Sequence, residues 1–589
     1  MDARTRVERR AAWVSGLRLV AGLAAIGCFV LALTQSGTGG PIALAGSLVA
    51  VVVFAGLVTY HDRLKSRIAD LVARAQLTEW AAHRVDRNWS RLPPLPPDAS
   101  AAMPPDHPYA SDLDLFGSVS IARLLPPMTA LGFRTVRGWL LALPPRPVTA
   151  ARQEAVAELR ERVELRETFA VQGARRIGRP SGGADAIAAW ATNTSPPTIP
   201  TWSLVAAAAL LVAATILSRT YWWPVPLVIG RVLTSKVATG IDETIKSLMN
   251  GAESLSAWMG IARSIGEETF QSTLLRGLQD DLGHGEDAAW RQIQRLRRVA
   301  EWAAVRASPA LHFVLNWGIF WDFWIAAIGL RWRGRNGPRV PSWMSAIGAC
   351  ESLAALATMA RENPDWTFPA LIEATPARLV ARGIGHPVLP AATRVANDVS
   401  IGPEGTLLLV TGSNMAGKST FLRAIGTNAV LARVGSTVCA SAMEMSPFRL
   451  WTVVRIEDSL ERGVSYFMAE LERLKHVVEA ARSGAADEGR LLYLFDEILQ
   501  GTNSAERLIA ARRVLRHLMA AGAVGVVTTH DLSLADADVF EDRVQHVHFR
   551  EQVESTGAGG RMTFDYRARP GKATSTNALK LLELVGLSE

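Results

Sequence analysis

The sequence predicts three architectures in one chain: transmembrane helices at the start, an all-α region in the middle, and an α/β domain with a largely parallel sheet at the C-terminal end. Three observations predict it. Two apolar runs, "LRLVAGLAAIGCFVLALT" (17–34) and "PIALAGSLVAVVVFAGLVTY" (41–60), each approach the roughly 20 residues that a spanning helix needs. Helical patterning runs from 111 to about 192, from 236 to about 310 and again near 343–361. From about 397, short β-rich runs alternate with helical stretches: "TLLLVTG" (406–412), "RLLYLFDE" (490–497) and "AVGVVTTH" (523–530).

The first element is a hairpin. Arg4, Arg6, Arg9 and Arg10 precede the first apolar run, Arg63, Lys65 and Arg67 follow the second, and the link "QSGTGG" carries no charge. The positive-inside rule therefore places both ends in the cytoplasm. A second spanning run follows at once, which argues against a cleaved signal peptide. Residues 1–62 read as this transmembrane hairpin. Residues 62–90 follow as a juxtamembrane helix, and "RLPPLPPDASAAMPPDHP" (91–108) as a stiff linker, because its prolines fix φ and lack donors. Residues 63–110 form this second unit.

A first helical part spans 111–200. It is interrupted by "TWSLVAAAALLVAATILS" (201–218) and "YWWPVPLVIG" (221–230), which read as a second transmembrane hairpin over 201–235. The second helical part covers 236–395. Its apolar run "ALHFVLNWGIFWDFWIAAIGL" (310–330) carries His312, Asn316 and Asp322 and reads as a core helix. All of the 18 tryptophans except Trp451 precede the α/β domain, and Trp13, Trp202, Trp222 and Trp223 flank the apolar runs, where an amphipathic ring suits a membrane interface. Cys28, Cys350 and Cys439 are scattered, with neither a disulfide framework nor zinc spacing, so the soluble parts belong to a reducing compartment. The net charge of +8 suits nucleic acid or anionic lipid without choosing between them.

The last domain, 396–589, carries the chemistry. Gly412-Ser413-Asn414-Met415-Ala416-Gly417-Lys418-Ser419, with Thr420 next, fits the phosphate-binding pattern G-x-x-x-x-G-K-[ST] between a β run and a helix. Its glycines let backbone N–H groups converge on phosphate oxygens at a helix N-terminus. Lys418 neutralises the β/γ-phosphates and Ser419 offers a hydroxyl to Mg²⁺. "LLYLFDE" ends in Asp496, a second Mg²⁺ holder through water, and in Glu497, the residue to polarise an attacking water. His530, at the end of "VGVVTTH", is placed to contact a γ-phosphate.

These residues resemble the DNA mismatch repair MutS family. "TGSNMAGKSTFLR" is similar to its P-loop, "FDEILQGTNSAER" (495–507) to its Walker B segment and D-loop, "TTHD" to its switch histidine, and "SYFMAEL" (465–471) to its signature segment. "HPVL" (386–389), "VAND" (395–398) and "RPGKATSTNALKLLELVGL" (569–587) resemble the family's lead-in and C-terminal segment, and 114–159 its core beside the lever helices. The resemblance implies an α/β P-loop ATPase domain of ABC type and ATP with Mg²⁺. It implies a homodimer in which Ser465 acts on the partner's nucleotide. The family's mismatch-reading domain has no counterpart here, an apolar hairpin stands where it places a DNA clamp, and its adenine-stacking aromatic aligns with Arg394.

Nine arginines (291, 295, 297, 298, 306, 331, 333, 335 and 339) cluster over 290–339 and suit DNA phosphate, anionic lipid or plain solvation equally. The expectation is a multi-pass protein of the inner or cell membrane with a cytoplasmic ATPase domain, binding DNA, mismatched or branched, in repair. The alternative is a membrane-associated ATPase that drives a membrane or partner-protein process without DNA. A transport ATPase is disfavoured, since "SYFMAEL" is not the transporter signature.

Overall fold

The computed structural model describes residues 2–572 except 35–38, 97–105, 176, 178–181, 194–198, 238–239, 374, 414, 456–465, 484–488, 500–503, 536–539, 541–542 and 555–560. Helices α1 (Asp2–Thr34) and α2 (Gly39–Val85) pack antiparallel, with Val7, Ala11 and Val14 against Leu57, Leu64 and Ile68. Their polarity is inverted. Ser47 is buried and donates to the Ala25 carbonyl (2.9 Å), whereas Leu23, Ile26, Leu48 and Val52 face outward. No proline or glycine interrupts the chain from Leu57 to Val85, so the second apolar run and the expected juxtamembrane helix form one rod of 47 residues, about 70 Å long.

The rod ends in a helix C-cap of Schellman type. The Asn88 N–H reaches the His83 carbonyl (2.8 Å) and the Arg87 N–H that of Arg84 (3.2 Å), with Arg87 at φ 56°. Glycine usually takes this place, because a side chain here costs about 1 kcal/mol.

Helices α3 (Ala130–Leu141), α4 (Arg146–Glu161), α5 (Val163–Ala174) and α6 (Gly182–Thr192) follow. Ala73, Leu77 and Trp80 of α2 lie against Ala170, Val171 and Ala174 of α5. Then come α7 (Thr201–Ile216), α8 (Pro224–Val237), α9 (Ile241–Glu267), α10 (Thr273–Asp281), α11 (Ala289–Ala303), α12 (Pro309–Ile319), α13 (Trp321–Asn336) and α14 (Val340–Glu362). Among the described residues, four helical segments could cross a membrane by length and composition: Arg4–Ala32, Gly39–Val85, Thr201–Arg219 and Trp321–Glu362. The last is buried in the protein over 78% of its apolar window, so it is a core element.

Strands begin with β1 (Ala370–Leu371), β2 (Leu379–Ile384), β3 (Asn397–Ile401) and β4 (Leu407–Thr411). After α15 (Lys418–Val434) come β5 (Ala442–Met445), β6 (Arg449–Val453), α16 (Tyr466–Ser483), β7 (Leu491–Asp496), α17 (Ser504–Ala520), β8 (Val524–Thr529), α18 (Leu532–Ala535), β9 (Val544–Glu554) and β10 (Arg561–Pro570). One sheet has the order β1-β5-β2-β3; the other, β10-β9-β4-β8-β7-β6, is parallel except for β10 at its edge. Strands β4 and β8 are buried throughout and β7 up to Phe495, which is why they read as continuous apolar runs. Leu408, Val410, Leu492 and Leu494 join the core that continues into the helical region, while Leu407, Leu409, Tyr493 and Phe495 face α16 and α17.

Three expectations need correction. Residues 111–129 are not α-helical: turns and a short 3-10 segment (Ile121–Leu124) occupy them. The buried Asp112 is used instead to hold β6, accepting from the Thr452 hydroxyl (2.6 Å) and the Val454 and Arg455 N–H groups (3.2 and 3.1 Å). The run 310–330 is not one core helix. It breaks at Phe320 (φ 56°), whose ring lies so near Gly230 that a Cβ there would collide with it. Before the break, α12 turns His312 and Asn316 inward to the buried Asp322 (2.9 and 3.3 Å) and exposes Leu311, Phe313, Val314 and Trp317. The α/β domain begins not at 396 but near 370, because β1 and β2 pair with β5 from inside that domain.

One buried acid fastens the helical region. Glu351 of α14 accepts from the Thr129 N–H (3.0 Å) and hydroxyl (2.5 Å) at the start of α3. Burial pushes its carboxyl up to about 7, against the opposing pull of the Thr129 bonds. Unfolded, the group titrates near 4.5. The folded state therefore keeps the proton that the unfolded chain loses, and this residue's contribution to stability falls as pH rises from about 4.5 to about 7. Replacing Glu351 by glutamine removes that fall: the melting temperature of the variant, relative to the native protein, rises with pH across the window in scanning calorimetry.

Candidate nucleotide site

Register brings the motifs together. Strands β4, β8 and β7 are neighbours, with Thr411 opposite Thr529 and Thr528 opposite Asp496. The loop after β4, the Asp496–Glu497 pair after β7 and His530 after β8 therefore emerge at one carboxyl edge, where open parallel sheets bind ligands. The loop uses Gly412 at φ 144° and Gly417 at φ 100°; a side chain at 417 would also strike the Tyr566 ring (2.9 Å).

Lys418 is buried. Its ammonium donates to the Gly412 and Ser413 carbonyls, both at 2.8 Å, and lies 3.8 Å from Glu497 Oε1. Ser419 and Thr420 are exposed in the first turn of α15, Ala416 is buried beneath the loop, and Met415 is exposed. The Glu497 backbone is in the left-handed region (φ 51°), with its N–H on the Thr528 carbonyl (3.1 Å), and its Oε2 lies 3.4 Å from His530 Nδ1. Strain of this kind at a candidate base marks a position the surroundings over-determine. Asp496 accepts from the Thr528 hydroxyl. Asn414 and Ser465 lie outside the described residues. Among the described residues, no three His, Cys, Asp or Glu side chains cluster as a metal cage. The hard oxygens of Ser419 and Asp496 fit Mg²⁺, which takes one or two protein ligands and completes its shell with phosphates and water.

Two residues escaped the sequence reading. A cavity of about 310 Å³ beside the loop is lined by Gly385, His386, Leu389, Gly417, Thr420 and Tyr566, among others. A bulge in β10 aims Tyr566 there: its φ is 54°, and Asn397 clamps the bulge through the Tyr566 carbonyl (3.1 Å) and the Ala568 N–H (2.7 Å). In sequence, Tyr566 is one more aromatic in a strand. The second is Glu470, buried in α16, which accepts from the Leu499 N–H just after Glu497 and so ties α16 to the turn after β7. Arg394 does not line the cavity; its side chain packs over Gly385, towards Cys439. Burial holds the neighbouring His386 down to about 4, so it stays neutral.

The family model described as MutS domain V matches residues 408–589. The C-terminal segment of this chain is therefore similar to MutS domain V. MutS domain V is a P-loop ATPase domain. The DNA mismatch repair protein MutS of Exiguobacterium sp. is 32% identical over 212 residues, 35% of this chain and 24% of that protein. The DNA mismatch repair protein MutS 2 of Halobacterium salinarum is 31% identical over 268 residues, 44% of this chain and 29% of that protein. MutS of Geobacillus kaustophilus is 30% identical over 256 residues, 42% and 27% of the two chains. The chain thus spans under a third of the length of these relatives.

Tyr566→Ala removes the aromatic wall of the cavity. ATP affinity, measured by titration of a fluorescent analogue, should fall about tenfold, within the ~1–3 kcal/mol of base–aromatic stacking.

Proposed function

We propose that this chain is a membrane-tethered, MutS-type ATPase that binds ATP with Mg²⁺, pairs with a second copy of itself and couples hydrolysis to opening of the dimer. The observation that carries it is the meeting of Lys418, Glu497 and His530 at one edge of the buried parallel sheet. Lys418 exchanges the carbonyls of its own loop for phosphate oxygens. Glu497 takes the proton of the attacking water, and His530, beside it, is oriented to sense the γ-phosphate. Ser419 and Asp496 hold Mg²⁺, which offsets phosphate charge. Ser465, by its resemblance to the signature serine, completes the partner's site, which makes one ATPase domain per chain a reason to dimerise.

The membrane part of the proposal rests on inverted polarity: α1, α2, α7, α8 and α12 present Ile26, Val52, Val205, Val228 and Phe313 outward. Both long ends of the α1–α2 hairpin belong to the cytoplasmic side of a cell membrane, with the ATPase domain.

The ligand of the helical region is DNA in the first reading, mismatched, in line with the relatives' names as DNA mismatch repair proteins, or branched. A specific observation favours the second reading, an ATPase that drives a membrane or partner-protein process. Most of the nine arginines are already engaged. Arg291 and Arg295 pair with Glu286, Arg297 with Glu301, and Arg306 with Asp242 and Asp322. Arg333 is buried on the Trp190 carbonyl, and Arg339 meets the Asp287 carbonyl. Of the nine, Arg298, Arg331 and Arg335 remain exposed outside these pairs.

Lys418→Ala should abolish ATP binding. Glu497→Gln should bind ATP yet hydrolyse it at least a hundredfold more slowly, as loss of a general base costs 10²–10⁴-fold; a full rate in that variant removes Glu497 as the base. ATPase rates of the native protein with homoduplex, mismatched and branched DNA separate the two readings. Stimulation together with salt-sensitive binding supports DNA as the ligand, and neither effect supports the membrane process.

A further inference from the structure

We propose that Arg87 is a positioning residue for the nucleotide: through it the end of the hairpin helix α2 sets one wall of the base cavity, so that nucleotide affinity answers to the apolar hairpin at the other end of the rod. The inference rests on the ATPase reading above. Arg87 is 6% exposed although it ends an exposed helix, and its guanidinium has three acceptors. Nε donates to the Pro387 carbonyl (2.9 Å), Nη2 to Asn363 Oδ1 (2.7 Å), and Nη1 to the Arg84 carbonyl of its own helix. One turn earlier, Arg84 makes a bidentate bond to Glu362 (2.9 and 2.5 Å) at the end of α14.

Pro387 stands between His386 and Leu389, both lining residues of the cavity, in a turn closed by the Leu389 N–H on the His386 carbonyl (3.1 Å). The other end of that wall is held from the P-loop helix, where Asn428 donates to the Gly385 carbonyl (2.9 Å). The wall is therefore suspended between α15 and α2. A helix unbroken from Gly39 to Val85 transmits tilt as a rigid body, and a bilayer restricts the tilt of a hairpin more than a micelle does. The left-handed backbone at Arg87 would suit glycine, so the arginine is there for its side chain, not for the turn.

The test uses the full chain in phospholipid nanodiscs and in detergent micelles, with mant-ATP and Mg²⁺. Arg87→Gly deletes the guanidinium and leaves the backbone relaxed. In nanodiscs its Kd and KM should rise about tenfold while kcat changes less than twofold, and Arg87→Lys should restore about half of that loss on a logarithmic scale. The native protein should differ at least threefold in Kd between nanodisc and micelle, and Arg87→Gly should lose the difference. A Kd for Arg87→Gly within twofold of native, at an unchanged melting temperature, overturns the proposal. If Arg87→Gly melts much lower, Arg87→Lys decides: its Kd must lie between the native value and a tenfold loss, and a native Kd overturns the proposal. Equal native affinities in the two media overturn the link to the hairpin. A native protein that binds no mant-ATP in either medium refutes the ATPase reading itself, and this proposal with it.

Discussion

The structure depends on the pairing of three buried parallel strands, β4, β8 and β7. Buried on both faces, they can be made only of residues such as Leu, Val, Phe and Thr, and their register is fixed by the layers on either side. A one-residue slip would turn Tyr493 and Phe495 from one core into the other. Because the register is fixed, three motifs spread over more than a hundred residues of sequence end at one edge, which is the candidate site. The polar residues there take strained or engaged states: Glu497 is left-handed, and Lys418 is bound to its own loop.

Around that edge the molecule is one mechanical unit rather than an ATPase with attachments. A single apolar core runs from Leu113 and Phe133 through α14 to Leu408 and Leu494. Asp112 holds β6, Glu351 holds α3, and Arg84 with Arg87 hold the end of α2 to α14 and to the cavity wall. These buried polar contacts are directional, so they specify angles between elements where apolar packing alone would tolerate sliding. The same logic recurs at Asp322, where Arg306, His312 and Asn316 converge and turn α12 inside out.

That inversion bears on what the helical region meets. In water, a face of Leu311, Phe313, Val314 and Trp317 over a polar interior is unfavourable; against lipid it is the favourable arrangement. The arginines next to it, which suited phosphate, lipid and solvation equally in sequence, mostly meet carboxylates, notably Glu286 and Asp242, both outside the 290–339 stretch.

The sequence by itself determined the local chemistry and the architecture of layers. The P-loop pattern, the apolar run ending in Asp496 and Glu497, and the alternation of strands with helices were all legible, because each is written in contiguous residues whose period or spacing has a direct physical meaning. The tertiary structure alone decided whatever depends on two distant segments meeting. Tyr566 reaches the candidate nucleotide cavity through a bulge clamped by Asn397, Arg394 turns away from it towards Cys439, and the small sheet recruits β1 and β2 into the α/β domain. In sequence, Arg87 is one charged residue near the end of the 62–90 helical stretch. One of its acceptors, the Pro387 carbonyl, lies 300 residues away, and no local pattern encodes an acceptor at that distance.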